Sequence, residues 1–124
     1  MHELSVCQSL LDQVERIAAE QGAERVERIL LRIGPLSGVE APLLRSAYPI
    51  AAAGTIAEGA ILDIEPAPVR VHCVTCGAET EATPNRLLCG ACGDWHTRLV
   101  SGDEMLLARL ELSVAEDQGH ESLL

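Results

Sequence analysis

Apolar residues recur along the first twenty positions at Leu4, Cys7, Leu10, Leu11, Val14, Ile17 and Ala18. Steps of three and four put them on one stripe, so the spacing predicts a helix from about residue 4 to Gln21. Ser5 with Gln8 fits a capping box, and Gly22 is placed to end the helix. Between Arg25 and Gly34 the period changes to two. Ile29, Leu31 and Ile33 share a side opposite Arg28, Leu30 and Arg32, which predicts a strand with one buried face. Gly34-Pro35 stops it. Ser37 with Glu40 reads as a second capping box, opening a helix through Leu43, Leu44, Ala47, Tyr48 and Ala51 to Gly54. Pro49 inside that helix removes a donor and crowds the carbonyl of Arg45, which predicts a kink. Ile61–Glu65 alternates again, ended by Pro66 and Pro68. Val69 and Val71 then lead into a cysteine-rich stretch, and Met105–Leu112 closes the pattern as a further strand. The polar run after Val114 reads as a flexible tail.

The predicted architecture is α+β: a small three-stranded sheet with two helices, interrupted by an inserted lobe. Residues 1–66 and 101–114 form the α+β domain, 67–100 the inserted zinc-ribbon-like lobe and 115–124 the tail. The two prolines ahead of the lobe mark a hinge. A chain of 124 residues, 48% apolar, supports one core plus such a module. That core is aliphatic, with no Phe, one Trp and one Tyr.

The inserted stretch, VHCVTCGAETEATPNRLLCGACGDW, holds four of the five cysteines as two Cys-x2-Cys pairs, Cys73/Cys76 and Cys89/Cys92. Each pair is followed by a glycine, Gly77 or Gly93, which lets the backbone turn left-handed and aim amides at the sulfurs. Two such loops can close four thiolates tetrahedrally around Zn(II) at ~2.3 Å, a closed structural site. Paired disulfides are disfavoured because no secretory signal is visible and cytosolic thiols stay reduced. A redox Cys-x2-Cys usually occurs once, on a strand-to-helix turn. Iron takes the same four ligands, and the residues alone leave it open. His72 and His96 flank the cluster and read as exposed or supporting residues, with exchange into the ligand set the lesser alternative. Cys7, on the first helix's apolar stripe, reads as a small buried hydrophobe.

The formal charge of −10 makes phosphate backbones repellent, and the lobe has no basic cluster, which argues against nucleic acid as a partner. No apolar run is long enough to cross a membrane. A cytoplasmic location is expected. No nucleophile elbow, phosphate loop or carboxylate pair points to an enzyme.

Met1-His2-Glu3 is a second place for metal. The terminal amine, the backbone nitrogen and imidazole of His2, and the Glu3 amide or carboxylate can form fused rings around one ion. Nitrogen-rich, square-planar ligands of this kind suit Ni(II) or Cu(II) better than Zn(II). On the residues alone the signal is weak, since most chains with a histidine at position two bind nothing there.

The segments MHELSVCQSLLDQV, IGPLSGVEAPLLRSAY, GTIAEGAIL, the paired CVTCG and CGACG, and SGDEMLL occur in this order. Together they resemble the HypA/HybF family of hydrogenase nickel-incorporation proteins over nearly the whole chain except its tail. The resemblance implies a two-lobed nickel metallochaperone. It places the family's nickel-site histidine on His2, with Met1 supplying the amine and Glu3 adjacent. Its structural zinc falls on Cys73, Cys76, Cys89 and Cys92. It also implies a HypB-type GTPase and the large subunit of NiFe hydrogenase as partners, urease being served by some relatives, and a monomer or weak homodimer. Tyr48 stands where the family pattern has Phe, and Pro49 where an acidic residue is common. The competing reading is a zinc-ribbon protein-interaction module without nickel transfer.

Overall fold

The computed structural model describes residues 2–114 and 119–123. The elements are α1 (His2–Glu20), β1 (Ala23–Ile33), α2 (Ala41–Ala52), β2 (Ile61–Pro66), β3 (Arg70–Cys73), β4 (Glu79–Glu81), β5 (Thr97–Ser101), β6 (Met105–Val114) and β7 (Gly119–Leu123). One sheet runs β2-β1-β6-β7, and a second, smaller one runs β4-β3-β5. The chain divides into two compact units. The first is Met1–Leu31, Glu40–Ile64 and Leu107–Leu124; the second is Arg32–Val39 and Glu65–Leu106.

In the first unit the helical stripe is buried as its spacing dictates: Cys7, Leu10, Leu11, Val14 and Ala18 of α1, against Leu44, Tyr48 and Ala52 of α2. Val26, Ile29 and Leu31 of β1 and Leu110 and Leu112 of β6 complete this apolar core. The buried Tyr48 hydroxyl donates to the Ala57 carbonyl at 2.9 Å, which satisfies the core's one phenol. Cys7 is fully buried, its thiol 3.8 Å from the Leu44 carbonyl, and burial pushes that thiol up from its ordinary value.

Several local expectations are corrected. α1 begins at His2, so Met1-His2-Glu3 does not lie wholly ahead of the helix, and Ser5 sits within it rather than at its cap. An acidic Glu3 in the first turn suits the positive end of the helix dipole, so no serine cap is needed there. Ser37 caps no helix either. Its hydroxyl accepts from the Val39 amide at 3.1 Å, a local turn bond, while α2 opens at Ala41 with Pro42 in its first turn. α2 runs as one helix across Pro49. Finally, the large sheet has four strands rather than three. The stretch read as a flexible tail contributes β7, which pairs antiparallel with β6 from Ser113↔Gly119 to Arg109↔Leu123. The open edge of β6 offers main-chain donors and acceptors that a returning strand satisfies whatever its side chains.

Candidate metal centres

The second unit builds its site from main-chain geometry. β3 pairs antiparallel with β4 on one side and β5 on the other, and Cys73 is its last residue. Val71, fully buried, anchors the strand. From Cys73 the chain makes a tight loop in which the Gly77 amide donates to the Cys73 carbonyl at 2.9 Å. The second loop repeats the bond, Gly93 to Cys89, at the same distance. Both glycines are left-handed, φ +80° and +79°, which is the reason glycine follows each pair. Amides point at sulfur in both: Cys76 N–H to Cys73 Sγ at 3.3 Å, and Ala91 and Cys92 N–H to Cys89 Sγ at 3.3 and 3.4 Å. The Cys92 and Ala91 amides pull the Cys89 thiol down to about 6, so a thiolate forms there readily.

The four sulfurs lie within 4.8 Å of one another. Cys73 Sγ is 3.6 Å from Cys92 Sγ, and Cys76 Sγ is 3.6 Å from Cys89 Sγ. Four thiolates at ~2.3 Å from a tetrahedral ion stand about 3.8 Å apart, so the spacing fits one metal ion held by all four. Cys73 and Cys89 are buried and Cys76 and Cys92 exposed, which leaves an approach from one side. No histidine joins the cluster among the described residues. His96 instead lies with Nδ1 2.8 Å from Asp94 Oδ1, its ring stacked on exposed Trp95 at 3.8 Å.

Two contributors carry no sequence signature of their own. Thr75, inside the first loop, donates its hydroxyl to Asp94 Oδ2, just beyond the second. That bond and those from His96 hold the Asp94 carboxyl well below the ordinary carboxylate range. Thr80 Oγ1 accepts from the Gly90 amide at 2.8 Å. A hydroxyl at such positions is an ordinary surface residue in the sequence; only the fold brings it to the cage.

At the other candidate centre, Met1 and the His2 side chain lie outside the described residues. His2 opens α1, and Glu3, in the first turn, is 5% exposed. Beside Glu3 a shallow groove of about 240 Å³ is bordered by Leu4, Leu43, Ser46, Ala47 and Ile50 of α1 and α2.

Comparison with known proteins decides the family. Residues 1–112 match the family described as "Hydrogenase/urease nickel incorporation, metallochaperone, hypA". The chain belongs to the HypA family. A hydrogenase maturation factor HypA from Nitrosospira multiformis is 54% identical over 112 residues, covering 90% of this chain and 97% of the relative. One from Aquifex aeolicus is 42% identical over 114 residues, 92% and 99% of the two chains. Among solved structures, that of the Ni metallochaperone HypA from Helicobacter pylori superposes with a TM-score of 0.69 at 29% identity, covering 92% of this chain and 98% of that one. A HypA family member is thus a nickel-incorporation metallochaperone by class, and this one carries a four-cysteine cluster able to hold a metal. No helix among the described residues is long and apolar enough to cross a membrane.

Proposed function

We propose that the chain carries Ni(II) as cargo at its N-terminus, through the Met1 amine, His2 and Glu3, and delivers it during maturation of NiFe hydrogenase. Cys73, Cys76, Cys89 and Cys92 hold Zn(II) permanently, and the zinc supplies folding free energy to residues 67–100. The cargo module is residues 1–66 with 101–114. The observation that carries this division is the closed sulfur cage, four sulfurs within 4.8 Å of one another, joined by no histidine or carboxylate among the described residues. Metal leaves such a cage only when several thiolates are displaced or protonated together, which suits a fixed ion and not a transferred one. A terminal amine and one imidazole give a shallow site that can be assembled and dismantled. The family match begins at residue 1 and includes this terminus.

Zinc suits the cage because four thiolates at tetrahedral spacing meet its coordination without a geometric preference of its own. The nitrogen set at the terminus suits Ni(II). Delivery proceeds with a HypB-type GTPase to the hydrogenase large subunit. The protein acts as a monomer or weak homodimer in the cytoplasm and performs no catalysis itself. Urease remains an alternative recipient, since the family description names both enzymes.

The deciding experiment adds Gly-Ser before Met1, which leaves every side chain in place and converts the α-amine into an amide. Nickel affinity measured by calorimetry should fall by at least about tenfold while bound zinc stays at one per chain. Unchanged nickel affinity would overturn the terminal site.

A further inference from the structure

Each cysteine loop is closed locally, by the Gly77–Cys73 and Gly93–Cys89 main-chain bonds and by amides aimed at its own sulfurs. None of these bonds fixes the distance between the loops. Side chains outside the ligand set reach across that gap. Thr75 lies between Cys73 and Cys76, and Asp94 lies two residues after Cys92. The Thr75 hydroxyl donates to one carboxylate oxygen of Asp94. The other oxygen accepts the His96 amide at 3.2 Å and faces His96 Nδ1 at 2.8 Å. The Asp94 carbonyl in turn accepts the Cys89 amide at 2.9 Å, and the Val74 amide donates to the His96 carbonyl at 2.9 Å. Both loops therefore converge on the Asp94–His96 segment, and a hydroxyl bonded to a carboxylate is about twice as strong as a neutral pair.

We infer that Asp94 is a positioning residue for the zinc centre: anchored on His96 and bonded to Thr75, it holds the two cysteine loops at metal-closing distance and sets how slowly zinc leaves. The inference rests on the reading that the four cysteines hold zinc. It deepens that reading, because a carrier that exchanges one metal at its terminus must keep the other from exchanging in its cage. Opening the cage moves one pair of sulfurs away from the other, and this motion strains the Thr75–Asp94 bond along with the Val74–His96 main-chain bond.

The test uses the full chain loaded with zinc. The rate of zinc transfer to an excess chromophoric chelator is measured, together with the thiolate-to-metal and ligand-field spectrum of the Co(II)-substituted protein. Thr75→Val, which keeps the side chain's shape, and Asp94→Ala should each speed zinc loss by about tenfold and alter the Co(II) spectrum. Thr75→Ser should restore the slow rate and the native spectrum. Combined, Thr75→Val and Asp94→Ala should lose zinc no faster than Asp94→Ala alone, because both remove one bond. Far-ultraviolet circular dichroism and a zinc content of one per chain check that Thr75→Val remains folded. Native rates and spectra in Thr75→Val and Asp94→Ala would overturn the brace, as would fully additive effects. A wild-type chain that takes no zinc at its cysteines would overturn the underlying reading as well. A chain that holds zinc but ignores Thr75→Val overturns the brace alone.

Discussion

Gly34 packs so tightly against Gly102 that a β-carbon at position 34 would stand 2.1 Å from the Gly102 carbonyl oxygen. Two main-chain bonds lock the approach: the Gly34 amide to Glu104 O and the Leu36 amide to Gly102 O, both at 2.8 Å. Gly102 is itself confined, at φ +114° with Val69 in the way of any side chain. Backbone faces backbone here, so nothing can rotate aside. Gly34→Ala should destabilise the protein by about 3 kcal/mol or more, read as a shift in the denaturant midpoint. Gly38→Ala provides the contrast. Its φ is +82° but nothing lies within 4 Å of the added carbon, so it should cost only about 1 kcal/mol. Equal effects would mean that the close approach at Gly34 does not limit stability.

Tyr48 predicts an alkaline limit on stability. Burial pushes its phenol up to about 12 from an ordinary value of 10.0. Below pH 10 both folded and unfolded chains keep the proton, and the group adds no pH dependence. Between about 10 and 12 the unfolded chain ionises first, so stability falls as pH rises through that window. As the chain's one tyrosine, it can be titrated by phenolate absorbance without interference. Tyr48→Phe should remove this component of the alkaline transition. At neutral pH it should cost about 1–2 kcal/mol, because the Ala57 carbonyl loses its donor. An alkaline transition unchanged by Tyr48→Phe would assign it to another group.

Zinc removal should act on one lobe. The segment around the cysteines buries little beyond Ala67, Val69, Val71 and the sulfurs of Cys73 and Cys89. So small an apolar core does not offset the entropy of ordering the chain without metal. A strong chelator, or Cys73→Ala, should abolish the native Trp95 emission, while the helical circular dichroism of α1 and α2 persists. Metal-free protein with native Trp95 emission would show that the lobe folds unaided.

The parts legible in the sequence are those written in short-range spacing. Periods of 3.6 and 2 located α1, β1, α2, β2 and β6, and Cys-x2-Cys-Gly located both loops of the cage. Helix starts were less legible because Ser5 and Ser37 carry capping residues' chemistry at places the backbone uses otherwise. β4 spans only Glu79–Glu81, and β7 has no alternating pattern; both exist through main-chain pairing with a neighbour. The Thr75–Asp94 bond joins positions 19 residues apart and leaves no trace in local pattern. The contact of Gly34 with Gly102 is invisible for the same reason: glycine marks a missing side chain without naming what fills the space.

The terminus and the cage should also separate under mutation and acid. The amine and imidazole must each be free of their added proton to bind metal, so nickel affinity should weaken as pH falls. His2→Ala removes the imidazole and leaves the amine, so nickel affinity should drop by at least about tenfold and depend less steeply on pH. Zinc content should not change, since His2 and the four cysteines are different ligand sets. Cys73→Ala should do the reverse, losing zinc while the chain still takes nickel at its N-terminus. Calorimetry for nickel and metal analysis for zinc, run on both variants, settle the matter. Loss of both metals together in His2→Ala would mean that the two ions share a site.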